Sequence, residues 1–86
     1  MMSEEFAKEI ISLIPHTETN PIKVGDSISF HIVNAQLGLN NIQQAKAYLQ
    51  EMANEGYLEY QSAQANSDGG LRLSGYFLTQ KGFNLL

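Results

Sequence analysis

The stretch from Leu37 to Tyr60, L-G-L-N-N-I-Q-Q-A-K-A-Y-L-Q-E-M-A-N-E-G-Y-L-E-Y, contains a helix stop, a helix start, a second stop and the opening of a strand. Gly38 supplies left-handed backbone that ends one helix, and Leu39 is the apolar residue that packs back across such an end. Asn40 or Asn41 caps the next helix. Each is followed three residues later by a glutamine, Gln43 or Gln44, which is the spacing of a capping box. At about 100° per residue, Ile42, Ala45, Leu49, Met52 and Ala53 form one apolar arc with Tyr48 on its edge. The opposite arc holds Gln43, Gln44, Ala47, Gln50, Glu51, Asn54 and Glu55, and Lys46 borders it. Gly56 closes this helix, and from Tyr57 the apolar period drops to two.

Before this stretch, Ser27 or Ser29 caps a short helix in which Phe30, Val33 and Leu37 share a face. Ile32 and Ala35 lie round its side, a distribution that buries the helix between neighbours. Ser3 caps a first helix with Glu4 and Glu5 in its opening turn, where carboxylates favour the positive end of the helix dipole. Phe6, Ile10, Leu13 and Ile14 recur there at helical spacing, with Ala7 and Ile11 widening the stripe, until Pro15 ends it. The connection P-H-T-E-T-N-P-I-K-V-G-D-S is built of turn formers. A short strand belongs either at Ile22 and Val24 or around Ile28.

After Tyr57, the polar run A-N-S-D-G-G separates Y-L-E-Y-Q-S-A-Q from L-R-L-S-G-Y-F-L, two alternating segments that read as a hairpin. A turn centred between Ser67 and Asp68 sets Leu58 opposite Phe77, Tyr60 opposite Gly75 and Ser62 opposite Leu73. The larger apolar residues then share one face, and an aromatic ring covers Gly75. Thr79 caps a last short helix, Q-K-G-F-N-L-L, which carries Phe83, Leu85 and Leu86. Terminal residues are normally polar unless docked, so these three are expected on the first helix or at a homodimer interface.

Eighty-six residues fit one domain, residues 1–86, with a single compact core. The sequence has no cysteine, which excludes disulfides and thiolate zinc sites. Its start, M-M-S-E-E-F, is acidic, and no apolar run approaches the roughly 20 residues that span a bilayer. A cytoplasmic protein with no membrane partner is expected. The net charge is −4, and the five cations, Lys8, Lys23, Lys46, Arg72 and Lys81, form no cluster. Affinity for DNA rests largely on clustered Lys and Arg, with roughly 6–10 phosphates neutralised in well-anchored cases.

The order helix, helix, turn, helix, hairpin resembles the winged-helix superfamily and is similar to MarR-like and PadR-like bacterial regulators. The resemblance covers about Ser27 to Leu86. It rests on Leu37 and Gly38 ending the second helix, Gly56 and Tyr57 ending the third, and Leu78, Thr79 and Gly82 after the hairpin. It implies an α+β fold with a three-helix helix-turn-helix core, a two-stranded wing and a short C-terminal helix. It further implies a DNA-binding transcriptional regulator whose recognition helix runs from about Asn41 to Glu55. Two departures stand out. Those regulators continue into a long dimerisation helix, and their wing tips offer a cation to the minor groove, whereas Asn66, Ser67, Asp68, Gly69 and Gly70 stand at this tip.

On that reading the nucleic-acid-binding candidates are Asn41, Gln43, Gln44, Lys46, Ala47, Gln50 and Arg72. Glutamine can pair with adenine through both ends of its amide, and Lys46, Arg72 and Lys81 can reach phosphates. Glu51 and Glu55 on the same arc repel the backbone. An acidic winged-helix module that docks onto protein, with no DNA binding, is the alternative. His16 and His31 lack the spacing of a metal site, Asp68-Gly69-Gly70 lacks the pattern of a phosphate loop, and Ser74 lacks a nucleophile elbow. No enzyme, metal or cofactor is expected.

Overall fold

Ser3 opens the first helix, α1 (Glu4–Ile11), by accepting a hydrogen bond from the Phe6 N–H at 3.1 Å. The architecture is that of a computed structural model, which describes residues 2–65 and 67–86, without the side chains of Gln64 and Arg72. The expected wing-tip residue Asn66 lies outside the described residues. After Ile11 the chain tightens, Leu13 and Ile14 donating to carbonyls three residues back, and Pro15 prevents continuation.

Of the two places considered for the first strand, the chain uses the second, β1 (Ser27–Ile28). Ile22 and Val24 form no strand, because a turn from Lys23 to Asp26 takes in Val24. Asp26 closes it, its carboxylate accepting from the Lys23 N–H at 2.9 Å and its own N–H donating to the Lys23 carbonyl at 3.1 Å. Ser29 then caps α2 (Phe30–Gln36). This helix is less enclosed than its composition predicts: Val33 alone is fully buried, Phe30, Ile32 and Leu37 are half-buried, and Ala35 is exposed. Its main packing partner is α3.

Gly38 ends α2 at φ 63°, and the Leu39 N–H reaches back to the Asn34 carbonyl at 3.1 Å. Asn40 takes φ 49°, leaving Asn41 as the cap of α3 (Ile42–Asn54). The capping box is only half built from the expected pair. The Asn41 side chain accepts from the Gln44 N–H at 3.2 Å, but the Asn41 N–H donates to Asn34 Oδ1 at 2.8 Å and not to the Gln44 side chain. Asn34 thus ties the end of α2 to the start of α3.

The hairpin departs from its expected register by one residue. In β2 (Leu58–Gln61) and β5 (Gly75–Leu78), Leu58 pairs with Leu78, Tyr60 with Tyr76 and Gln61 with Gly75. The outer pieces, β3 (Gln64–Ala65) and β4 (Leu71–Arg72), keep the same register, so the turn centres on Asp68. Asp68 accepts from the Gly70 N–H at 3.0 Å and Gly69 has φ 88°. A one-residue slip exchanges the faces of a strand. Leu78 and Tyr76 therefore face the helices, while Phe77 shares the opposite face with Glu59. Gly75 lies across from Gln61, and the ring beside it is not that of Tyr60 but of Phe77 in its own strand, 3.7 Å from where a Cβ would stand; Leu73 is exposed.

The sheet order is β1-β5-β2, all antiparallel. Ile28, Leu58 and Leu78 on its inner face meet Ala7, Ile10 and Ile11 of α1, Val33 of α2, and Ala45, Leu49 and Met52 of α3. Phe6 packs edge-on to Tyr48 with centroids 5.0 Å apart. The final helix α4 (Gln80–Phe83), capped by Thr79, packs on α1. Phe83 and Leu85 lie partly buried on the core, and Leu86 is 46% exposed. The described chain is therefore α+β, with four helices and a three-stranded antiparallel sheet. No helix is long and apolar enough to cross a membrane. The radius of gyration, 13.1 Å, exceeds the roughly 12 Å of a compact chain this long, and the longest dimension is 39 Å.

Candidate functional site

The expected faces of α3 hold. Ala45, Leu49 and Met52 are fully buried, while Gln43, Gln44, Lys46, Ala47 and Gln50 are exposed. From Ile42 to Gln50 the helix carries no carboxylate; Glu51 and Glu55 come later and are half-buried. The carboxylate-free half is also the end where the helix dipole is positive.

An open groove of about 790 Å³ separates this half from the sheet. Gln43, Lys46, Ala47 and Gln50 form its helical wall, Phe30 closes one end, and Tyr60 and Tyr76 line the sheet side. The candidates Asn41 and Gln44 stand outside it, where the Asn41 side chain is held by its capping bond. The Arg72 side chain lies outside the described part of the molecule.

Two of the candidates in the groove are also engaged. Gln50 accepts from the Tyr76 hydroxyl at 3.1 Å through Oε1 and donates to Asn54 Oδ1 at 3.1 Å through Nε2. Its amide is thereby fixed in orientation, with one N–H left for any partner. Lys46 extends its ammonium over the Phe30 ring, 4.9 Å from the centroid, an attraction between cation and ring quadrupole. Burial raises the Tyr76 pKa, and the neighbouring Tyr60 raises it further. The two rings lie 5.1 Å apart.

Lys81 is elsewhere. It donates to the Glu55 carbonyl at 2.7 Å and lies 5.1 Å from the Tyr57 ring centroid, so it serves the C-terminal end of α3. Lys46 stands roughly 14 Å away along the helix axis. Lys23 pairs with Asp26 at 3.3 Å. The cations on α3 and the hairpin are therefore Lys46 and Arg72.

Sequence reasoning missed Tyr60, Tyr76 and Phe30 as walls of one groove. The register slip concealed the first two, since it predicted Gly75 and not Tyr76 opposite Tyr60. Among the described residues no group of three or more His, Asp or Glu is placed to hold a metal. No family model matches the chain, and comparisons with curated proteins and with solved structures return no match.

Proposed function

We propose that the chain is a winged-helix domain that binds duplex DNA as a small transcriptional regulator, with α3 as its recognition helix. The order of elements and the strand order β1-β5-β2 support the fold assignment. The observation that carries the function is the exposed, carboxylate-free N-terminal half of α3 beside a hairpin whose outer described residues are exposed. Gln43 and Gln44 would read base edges, Lys46 and the Arg72 position would meet phosphates, and no catalytic group or cofactor takes part.

Electrostatics make this a binder that depends on its site. With two cations near the interface, the logarithm of affinity should fall against the logarithm of salt with a slope of about −2 per protomer, against roughly −5 to −9 for a protein contacting 6–10 phosphates. Titrating mixed-sequence duplex at low salt measures this. Weak binding that declines with salt, and declines further in Lys46→Ala, supports the reading. A folded protein with no affinity at low salt removes it.

A second reading, docking onto another protein, is favoured by Gln50, whose amide is held by Tyr76 and Asn54, and by the net charge of −4.

A further inference from the structure

We propose that the outer edge of Leu71–Gly75 is a docking site for an extended peptide of another protein that carries an apolar side chain and a carboxylate.

The edge follows from the strand pairing. β5 has backbone neighbours on both sides only from Tyr76 to Leu78, because the chain before α2 bonds Leu78 through Gly25 and Asp26, pairs Ser27 with Phe77 and Ile28 with Tyr76, and then turns into the cap of α2. On the other side the register of β2 with β5 is kept by β3 with β4, with Leu73 and Ser74 as a break in the ladder between the two pairs. The side on which β1 lies is thus open from Gly75 back to Leu71. Among the described residues no backbone hydrogen bond outside the hairpin's own ladder involves these positions. At roughly 3.3 Å per residue the open edge is about 16 Å long, enough to seat a short strand. Extended peptides add to such edges through main-chain hydrogen bonds and are selected through adjacent pockets.

The adjacent pocket is the groove beside α3. Leu73, Phe30 and Tyr76 give it apolar walls, and Leu71 and Leu73 are 65% and 70% exposed. The chain carries nine carboxylates, yet none lines this groove. Lys46 has no ion-pair partner among the described residues. An apolar side chain against Leu73 and Phe30, and a carboxylate toward Lys46, complement these features. A second copy of the chain fits less well, since its own Leu71–Gly75 edge would bring no carboxylate to Lys46. The proposal uses a backbone edge and does not rest on DNA binding.

The test uses the full chain and a short capped peptide alternating valine with glutamate, followed by amide NMR. Shifts and slowed hydrogen exchange are expected along Leu71–Gly75. A valine and lysine peptide should bind roughly fivefold to tenfold more weakly, and Lys46→Glu should reverse that preference. Backbone N-methylation along one edge of the valine and glutamate peptide should abolish binding, while methylation along the other should not. No response at Leu71–Gly75, indifference to peptide charge, or indifference to methylation of either edge overturns the proposal. So does concentration-dependent self-association through the same amides, which would give the edge to a second copy.

Discussion

Gly82 stands where an added Cβ would strike the Tyr57 carbonyl oxygen and lie 2.8 Å from Leu78 Cδ1. That carbonyl also accepts from the Thr79 N–H at 3.2 Å and the Thr79 hydroxyl at 2.9 Å. The Leu-Thr-x-x-Gly pattern is thus a device for locking α4 over the junction of α3 and β2, and the glycine is required by close approach. Gly82→Ala should lower unfolding stability by at least about 2 kcal/mol, as overpacking against backbone does, read by chemical denaturation. Tyr76→Phe should cost about 0.5–1.5 kcal/mol, the range for a single hydrogen bond. The pH dependence has a definite sign. The folded pKa of Tyr76 is raised, so its contribution is complete below the ordinary tyrosine range and is lost as pH rises through the raised value. Stability curves of the two proteins should converge in alkali, and a constant gap would contradict the role given to the hydroxyl.

Helices were legible because periodicity and caps coincide in them. Ser3, Ser29, Asn41 and Thr79 all act as caps, and Leu49 and Gln43 lie on opposite faces of α3. Leu49→Ala should therefore cost about 2–5 kcal/mol and Gln43→Ala stay within about 0.5 kcal/mol; equal, small losses in thermal unfolding would mean that α3 is turned the wrong way. Strands were less legible. β1 is two residues long and is specified by the end of β5, not by any alternation of its own. The hairpin register escaped because alternation alone allows either face of β5 to point inward. What decides it is nonlocal: Leu78 is fixed in the core, its N–H donating to the Asp26 carbonyl and its carbonyl accepting from the Gly25 N–H, both at 2.8 Å. Asn34 likewise replaced Gln44 in the α3 cap from seven residues away, beyond the reach of a spacing rule.

Across the whole molecule, charge and shape point in different directions. The hairpin and the exposed amide face of α3 suit the proposed reading of nucleic acid, while net charge −4 supplies little general attraction to phosphate. Their reconciliation lies in distribution: the carboxylates of α3 and its cap, Glu51 and Glu55, lie toward its C-terminal end, where Lys81 also sits, and the exposed side chains of its N-terminal half are Gln43, Gln44, Lys46, Ala47 and Gln50. The exposed and buried faces of α3 were legible from the helical period. The groove was not, because Tyr60, Tyr76 and Phe30 meet only through the correct strand register and the α2–α3 packing. If the N-terminal half of α3 meets duplex DNA, as proposed, amide chemical-shift mapping at low salt will register it there. On adding duplex, the largest perturbations should fall between Asn41 and Gln50 and on the hairpin, and should fade as salt is raised. Perturbations confined to α1 and α4, or none at all from a folded protein, would contradict it.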